Sequence, residues 1–329
     1  MRRARGARAW TAVSVGVGGI AEDRRVTRRG LLLFIALGIA WGIPYALIKI
    51  SVAEVEPAML ILARTVIGAA VLLPLALTRG EIPRILAHWR PLLVYTVVEI
   101  VVPWYFLNTA EQHLPSSTTG LLIATVPLFG VLVGVLLGRR AHLSWGNWLG
   151  IALGMAGVAA IVGLDVAGTD LSSVARLAIV AFGYALGPAI IARWMPSAPG
   201  IGLAAASLAI AAVVYAPIVA LSHAWPSAWP SGSVIASIVV LGVVCSAAAF
   251  TLFVWLVAEI GPMRATTVTY LNPAVAVIAG AVLLGERITG WTLVGFVLVI
   301  GGSFLVTRRS VGGAQAVGEV QPEVASTRA

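Results

Sequence analysis

The chain has 329 residues, of which 60% are hydrophobic and 11% are charged, and its formal net charge is +9. Soluble globular domains have about a quarter of their residues charged, so this composition excludes a soluble protein and indicates an integral membrane protein. Eight of the 22 basic residues lie in the first 29 positions and most of the others fall in short loops. This distribution favours a role in membrane topology over nucleic-acid binding.

The first 29 residues predict a basic tail rather than a cleaved signal peptide. A weak apolar run at 9–20 lies between two groups of arginines, but no convincing small-residue cleavage site precedes the charged cluster at 22–25. A membrane-length apolar segment follows directly, from Leu31. We therefore expect residues 1–29 to form a disordered cytoplasmic tail, with a second such tail at 308–329.

Ten apolar segments beyond this tail are long enough to cross a bilayer, which takes about 20 helical residues. Helices are expected because unpaired backbone groups are too costly in lipid, and the segments are too long and too uniformly apolar for barrel strands. The sequence therefore predicts an all-α integral membrane protein. The ten predicted helices span residues 31–50, 57–77, 91–110, 116–138, 145–164, 174–192, 201–221, 234–257, 263–285 and 290–306.

The connections between these helices carry an alternating charge bias that orients the bundle. Cytoplasmic loops are enriched in lysine and arginine, so both termini are predicted to be cytoplasmic, in a plasma membrane. The loops around Asp165 and Trp225 are then external. The alternate connections that face the cytoplasm hold Arg79, Arg84, Arg90, Arg139, Arg140, Arg193 and Arg264.

The first predicted helix places Gly38, Trp41, Tyr45 and Lys49 at spacings of three and four residues, hence on one face. This face could border a cavity, where aromatic side chains would suit an amphipathic solute, or it could be a packing seam. Lys49 could equally extend to the external interface.

Glu99 is the most informative polar residue because it lies near the middle of the third predicted helix among apolar neighbours. A charge at a helix centre costs about 2.5 to 3.5 kcal/mol on insertion scales, so Glu99 should be protonated, paired or facing water. Two hypotheses follow, a proton or cation site and a structural partner of a buried base. Arg64 in the second helix differs from Glu99 in depth by under about 10 Å, which makes an ion pair with Glu99 the leading interpretation of Arg64, with substrate contact second.

Further polar and aromatic candidates surround proline breaks. Trp104, Tyr105 and Asn108 follow Pro103, and Asn108 falls opposite Glu99 on an ideal helix, so both reach one cavity only if the helix is distorted. The candidates of the second half are Tyr184 in the sixth helix, and Tyr270 and Asn272 beside Pro273 in the ninth.

Glycines recur at intervals of four residues in two helices. Such rows let helix backbones approach closely, so packing is the preferred interpretation and a flexing face during transport is the alternative. The rows are Gly130, Gly134 and Gly138 in the fourth helix and Gly146, Gly150 and Gly154 in the fifth.

Motifs of soluble enzymes are absent from the sequence. There is no P-loop and no strand-flanked GxGxxG, and the four histidines lie scattered without ligand spacing. The single Cys245, in an apolar run, allows neither a disulfide framework nor a thiolate cluster for a metal. We predict no catalytic residue, no metal and no cofactor, and we do not expect an enzyme.

The two halves of the chain repeat each other. The tetrapeptide VLLG occurs at 135–138 and at 282–285, preceded by Pro127 and Pro273 respectively, and each copy is followed by two glycines seven residues apart. With five helices per copy, the second copy enters the membrane from the opposite side, so the repeat is predicted to be inverted. The predicted repeats are 30–165 and 166–307.

These two ordered copies resemble the EamA-type modules of the drug/metabolite transporter superfamily. The resemblance rests on Trp41, Gly42 and Lys49, then Arg64, then the proline and LLG-x-R run with its glycine helix, and it covers nearly all of 31–307. It implies two inverted five-helix repeats around a cavity lined by helices 1, 3, 4, 6, 8 and 9, which favours a cavity role for the face of helix 1. It also implies export of amino acids or other small metabolites.

One position departs from the family pattern, which has an acid after the glycine of LLG. The second copy has Glu286 there, whereas the first copy has Arg139. The first copy lies on the predicted cytoplasmic side, so Arg139 is expected to serve topology rather than any role that the acid has in the family.

The predicted function is secondary active transport by alternating access, with a small-molecule solute and the lipid bilayer as partners and protons as the candidate coupling ion, bound at Glu99. The alternative is a non-transporting membrane scaffold or assembly protein that keeps the fold; a continuous polar cavity would argue against it. The sequence leaves solute, direction and oligomeric state open. The candidates for the substrate cavity or coupling are Glu99, Arg64, Trp41, Tyr45, Trp104, Tyr105, Asn108, Tyr184, Tyr270 and Asn272.

Overall fold

A computed structural model describes residues 27–137, 145–162 and 170–310. The described part is helical, and no strand occurs within these ranges, which confirms the all-α prediction. A short helix, Glu81–Leu86, lies between the second and third long helices. The long helices are α1 Arg28–Ser51, α2 Pro57–Thr78, α3 Trp89–Glu111, α4 Ser116–Leu136, α5 Trp145–Ala160, α6 Leu171–Trp194, α7 Gly200–Leu221, α8 Gly232–Ile260, α9 Thr266–Leu284 and α10 Gly290–Ser310.

Nine of these described helices are long and apolar enough to cross a membrane, with mean hydropathies between 1.5 and 2.4. The tenth, α5, is described over only 16 residues, and it borders residues 138–144 and 163–169, which lie outside the described part. The prediction of a multi-pass helical membrane protein is confirmed, while the described residues account for nine of the ten expected spans. Residues 1–26 and 311–329 of the predicted tails also lie outside the description.

Helix boundaries follow local backbone chemistry. Thr27 is the N-cap of α1, where its side chain accepts a hydrogen bond from the backbone N–H of Gly30 at 2.9 Å. Pro57 is the first residue of α2, a position where the missing N–H would have had no intrahelical partner. Gly285 ends α9 at a φ of 66°, a left-handed conformation that a residue without Cβ adopts readily.

Contacts between helix ends show that successive helices run in opposite directions. Glu286, after α9, bonds to the start of α4, whereas Glu81, before α3, bonds to the start of α7 at the other end of the bundle. We call these the Glu286 end and the Glu81 end. Because each half has five helices, equivalent positions of the two halves lie at opposite ends: α3 finishes at the Glu286 end and α8 at the Glu81 end.

The third helix of each half contains a π-helical turn. The turn is Val97–Val101 in α3 and Val243–Ala248 in α8. In α3 the backbone N–H of Val102 bonds to the carbonyl of Val97, five residues earlier. Such a turn inserts a residue into the helix and re-aims the side chains around it. Pro103 follows the first turn closely, but α8 forms its turn without a proline, so proline is not the common cause.

Glycines of α5 pack tightly against α10, which confirms the packing interpretation for that row. A Cβ on Gly150 would lie 2.7 Å from the carbonyl oxygen of Gly302, and one on Gly302 would lie 2.6 Å from the backbone nitrogen of Gly154. These distances are shorter than any that real Cβ atoms tolerate, so both helices need glycine for their backbones to approach.

The glycine row of α4 behaves differently, and the packing interpretation is wrong for its described members. A Cβ on Gly130 or Gly134 would meet no atom within 4 Å. Both glycines line a cavity instead. Gly138, the third member of the row, lies outside the described residues. Glycine periodicity alone could not distinguish a packed face from an open one, because both require a small side chain.

Candidate functional site

Arg64 lies at the junction of the two halves. It is buried, with 6% of its surface exposed. Its Nε donates a hydrogen bond to Ser246 Oγ in the π turn of α8 at 3.1 Å, and its guanidinium carbon lies 3.7 Å from the centre of the Trp104 ring on α3. Both partners suit a guanidinium, since the ring face attracts the cation and the hydroxyl accepts its N–H. Arg64 therefore joins α2 and α3 of the first half to α8 of the second.

The predicted ion pair between Arg64 and Glu99 is wrong. Within the described ranges Arg64 forms no ion pair with any carboxylate. Glu99 belongs to the π turn of α3, which directs its side chain towards α6: a methyl group on Gly187 would collide with the Glu99 carboxylate. The direction of the Glu99 side chain depends on a helical distortion that the sequence does not mark.

Glu99 packs against a glycine surface of α6. The residue is partly buried, and its Oε2 atom is fully buried without a hydrogen-bond partner among the described residues. A Cβ on Gly183, one turn before Gly187, would lie 2.5 Å from the carbonyl oxygen of Val98. The absence of side chains at these two positions of α6 is what makes room for the backbone and the carboxyl group of the π turn.

Two tyrosines lie between Glu99 and Arg64. Tyr184 of α6 interacts electrostatically with Glu99, Arg64 and the indole of Trp104. Tyr45 of α1 is buried and interacts with Tyr184 and Arg64. The structure thus brings five predicted site residues into one buried polar cluster, which we call the central cluster: Arg64, Trp104, Tyr45, Tyr184 and Glu99.

Sequence analysis missed Glu111, which it assigned to an external loop. Glu111 is the last residue of α3, its exposure is 0%, and neither carboxylate oxygen has a hydrogen-bond partner among the described residues. The signal was present in the spacing, because Trp104, Asn108 and Glu111 are separated by four and three residues and so share a face. All three are buried, at 6%, 1% and 0% exposure.

Lys49 is partly buried near the carboxyl end of α1, and its ammonium group binds the end of α3. Its Nζ donates to the backbone carbonyl oxygens of Glu111 at 2.7 Å and Gln112 at 3.4 Å. The ammonium therefore caps the carboxyl end of α3, where the helix dipole favours a positive charge. It also interacts electrostatically with the side chains of Glu111 and Glu286.

Three other candidates have packing roles away from the central cluster. Trp41 stacks on α8, with its ring centre 5.2 Å from that of Phe253. Tyr105 lies on the outer surface with 43% exposure. The Tyr270 hydroxyl donates to Thr307 Oγ1 at 2.7 Å and so ties α9 to α10.

The two candidate asparagines, Asn108 which is buried and Asn272 which is partly buried, are incompletely bonded. Asn108 Nδ2 donates to the Pro57 carbonyl oxygen over a long 3.5 Å, while Asn108 Oδ1 has no partner within the described protein. Asn272 Oδ1 is likewise buried without a partner there. Buried amide oxygens without a partner are uncommon in folded proteins. Both asparagines therefore remain candidates for binding a solute or water.

A cavity of about 240 Å³ opens between α4 and α6 in the half of the bundle nearer the Glu81 end. Pro188, which follows Gly187, is part of its wall, so the cavity lies beside the Glu99 contact. None of the ten predicted site residues lines it. The lining residues are Gly130, Val133, Gly134, Leu137, Ala185, Pro188, Ala189 and Ala192. Within the described ranges, no group of three or more His, Cys, Asp and Glu side chains is arranged to hold a metal ion.

The long apolar helices of the described residues, in two related halves that meet at the central cluster, identify a multi-pass membrane protein. The chain belongs to the EamA-like transporter family, whose profile matches residues 28–163 and 172–308. The uncharacterized inner membrane transporter YedA of Escherichia coli (strain K12) is 29% identical over 274 residues, which is 80% of this chain and 86% of that protein.

Two further comparisons add to this assignment. The probable terminal-alkyne amino-acid exporter of Streptantibioticus cattleyicolor is 33% identical over 213 residues, covering 63% of this chain and 69% of that protein. A chain of known crystal structure matches with a TM-score of 0.61 at 22% identity, over 85% of this chain and 96% of that one. This last similarity shows the shared fold.

Proposed function

We propose that this transporter is a secondary active exporter of amino acids or other small metabolites, working by alternating access in the plasma membrane. The observation that carries the proposal is Arg64, a buried cation held between the two halves by Ser246 and Trp104. One side-chain hydroxyl and one ring face leave most of the guanidinium donors available for an anionic ligand.

A carboxylate is the solute group that fits this site best. A guanidinium presents parallel N–H donors that match the two oxygens of a carboxylate. A solute bound to Arg64 would contact α2 and α8 together and so stabilise one arrangement of the halves. The printed name of the Streptantibioticus relative, an amino-acid exporter, is consistent with a carboxylate-bearing solute.

The orientation follows from loop charges. Arg79, Arg84, Arg193 and Arg264 lie near the Glu81 end, which supports a cytoplasmic location for that end and an external location for the Glu286 end. The cavity between α4 and α6 then lies in the cytoplasmic half, on the path of a solute that leaves the cell. Labelling cysteines at Gly80 and Ser231 from outside intact cells tests this: only the second should react.

Glu99 is the proposed coupling residue. Its Oε2 is buried without a partner, and Tyr184 places it in electrostatic contact with the Arg64 side of the cluster. A proton that binds there would change the charge of the cluster that receives the solute carboxylate. Glu99→Gln, which keeps the shape of the side chain but cannot ionise, should abolish gradient-driven accumulation while solute counterflow continues.

One observation favours a second candidate, a non-transporting scaffold. The described cavity is lined by apolar residues and glycine and does not include the central cluster. A protein that had lost its pathway would keep the fold and show such a cavity.

Comparing extracellular metabolites between a deletion strain and an overexpressing strain distinguishes the two functions. The exporter should raise the external concentration of at least one carboxylate-bearing metabolite, and Arg64→Gln should remove that rise. Arg84→Gln, at an exposed position, is the matched control and should leave it intact. Identical metabolite profiles in both strains would favour the scaffold.

A further inference from the structure

Glu111 lies at the Glu286 end and is none of the residues to which the solute carboxylate and the coupling proton were assigned above, although Arg64 and Tyr45 of the central cluster are among its neighbours. Both carboxylate oxygens are buried without a hydrogen-bond partner, and the residue has no exposed surface. An ionised carboxylate in this position would be a desolvated charge without a direct partner, which is the least favourable state for such a group. The structure therefore suits the neutral acid.

The charged and titratable groups around Glu111 come from four other elements. Lys49 and Tyr45 approach from α1, Arg64 from α2, Tyr184 from α6, and Glu286 from the connection between α9 and α10. The Lys49 ammonium donates to the backbone carbonyl oxygens of Glu111 and Gln112 rather than to the Glu111 carboxylate. Glu286 uses its two oxygens to accept the backbone N–H groups of Ser116 and Ser117, at 2.7 and 2.9 Å.

The protonation state of Glu111 decides whether its carboxyl group can remain buried. With a neutral Glu111, the positive Lys49 and the negative Glu286 balance each other at the closed end. With an ionised Glu111, two carboxylates share one ammonium, and their repulsion acts between α3 and the α9–α10 connection. Separation of these elements would admit water to the Glu111 carboxylate and relieve that repulsion.

We infer that Glu111 is a proton-binding residue of the gate at the Glu286 end, closed with the proton bound and opened by its release. The proton comes from water at the open gate, adds to a carboxylate oxygen, and returns to water when the gate reopens. The inference deepens the proposed function and rests on it for the assignment of this end to the outside. Glu111 is distinct from Glu99, since the two are 12 residues apart on α3, or about 18 Å along the helix axis.

The protonation state can be measured without a solute. Infrared spectra of the purified full-length protein at neutral pH should contain the C=O stretch of a buried carboxylic acid that disappears in Glu111→Gln. Glu56→Gln, which replaces an exposed acid at the same end of the bundle, is the matched control and should leave this band unchanged. An acid band that is unchanged in Glu111→Gln would overturn the inference.

The gate itself can be followed by cysteine reactivity in a Cys245→Ala background. Ser117→Cys tests a buried position beside the Glu286 contact, and Ser222→Cys is an exposed reference at the same end. Each labelling rate with a membrane-impermeant maleimide is first divided by the measured ionised fraction of its own thiol, and the ratio of the two corrected rates is then followed. With Glu111 present this ratio should rise several-fold as pH increases, and with Glu111→Gln it should stay low at every pH.

A ratio that is independent of pH in the protein with Glu111, or one that rises equally in Glu111→Gln, would refute the gating role. If Glu111→Gln does not fold, the pH dependence of the ratio in the protein with Glu111 still decides the question. Neither readout requires transport, so a failed export assay leaves both valid. Conversely, loss of the pH response leaves the proposed export function standing.

Discussion

The third helices of the two halves carry the same Ala-Glu pair in their last turn but place its carboxylate in opposite environments. In α8, Glu259 accepts a hydrogen bond from Thr27 Oγ1 at 2.7 Å and lies 3.7 Å from Arg29, with 21% of its side chain exposed. In α3, Glu111 has no exposed surface and no partner for either oxygen. The halves are thus related in backbone, including the π turn, but differ in electrostatics.

The same contrast separates the two ends of the bundle. At the Glu286 end, Glu286 accepts two backbone N–H groups of α4, and Glu54 accepts both the N–H and the hydroxyl of Ser231, at 2.7 Å each. At the Glu81 end, Glu81 accepts one N–H, from Gly202 at 2.6 Å. Each contact joins one half to the other. The Glu286 end is therefore closed by more backbone bonds than the Glu81 end.

The largest effect is expected at Glu286, because its removal would take away most of the additional backbone hydrogen bonds of the Glu286 end. Glu286→Ala deletes two charge-assisted hydrogen bonds to the start of α4, each worth about 1.5 to 3 kcal/mol, so unfolding in mixed micelles should show a loss of about 3 to 6 kcal/mol. Arg287→Gln, at the exposed neighbouring position, is the control and should change stability by less than about 0.5 kcal/mol. Equal losses of stability in both variants would contradict a stabilising role for the Glu286 hydrogen bonds.

A second substitution tests how tightly the π turn of α3 packs against Gly187 of α6. Gly187→Ala would place a methyl group against the Glu99 carboxylate and should cost about 1 to 3 kcal/mol by overpacking. Gly134→Ala, where an added Cβ meets nothing within 4 Å, should be neutral or slightly stabilising because alanine favours helix. The same unfolding assay measures both, and a neutral Gly187→Ala would mean that Glu99 can move aside freely.

A smaller effect is expected at the Glu81 end. Glu259→Gln removes an ion pair whose arginine side chain is 72% exposed, and such surface pairs contribute less than about 1 kcal/mol. The unfolding free energy should fall by no more than that, and added salt should reduce the difference further. A larger loss than that of Glu286→Ala would reverse the ranking of the two ends.

The smallest effect is a pH dependence at Glu54, outside the membrane-spanning helices. The N–H and hydroxyl of Ser231 stabilise the carboxylate and lower the pKa of Glu54 below its usual value. A depressed pKa gives stability that is present above the unfolded value of about 4.3 and is lost as pH falls through the folded value. The melting temperatures of wild type and Glu54→Gln should therefore differ at neutral pH and converge in acid; a difference that grows in acid would contradict this assignment.

Much of the fold could be predicted from the sequence because it depends on local signals. Long apolar runs identified the helices, and Pro57 and Gly285 fall at helix boundaries for reasons of backbone chemistry alone. The VLLG repeats indicated two related halves, and the EamA assignment is confirmed by the family match. These features are set by the bilayer and by short stretches of chain.

The site was less predictable because it depends on which way a few side chains point. The π turn around Glu99 directs that carboxylate to Gly187 and leaves Arg64 to Ser246, so the predicted ion pair does not form among the described residues. Glu111 was assigned to a loop because it stands at the last position of its helix, next to polar residues. An Ala-Glu pair stands at the carboxyl end of both third helices in the sequence, but only packing shows that one of the two acids is buried.

The inequality of the two ends is tested most directly by distances between paired spin labels in a Cys245→Ala background at mildly acidic pH. One pair, at His113 and Arg287, spans the Glu286 end, and the other, at Thr78 and Ser197, spans the Glu81 end; all four positions are exposed. Because the Glu286 end is closed by more backbone hydrogen bonds, we expect one narrow distance distribution there and a broad or bimodal distribution at the Glu81 end. A narrow distribution at the Glu81 end with a broad one at the Glu286 end would contradict it.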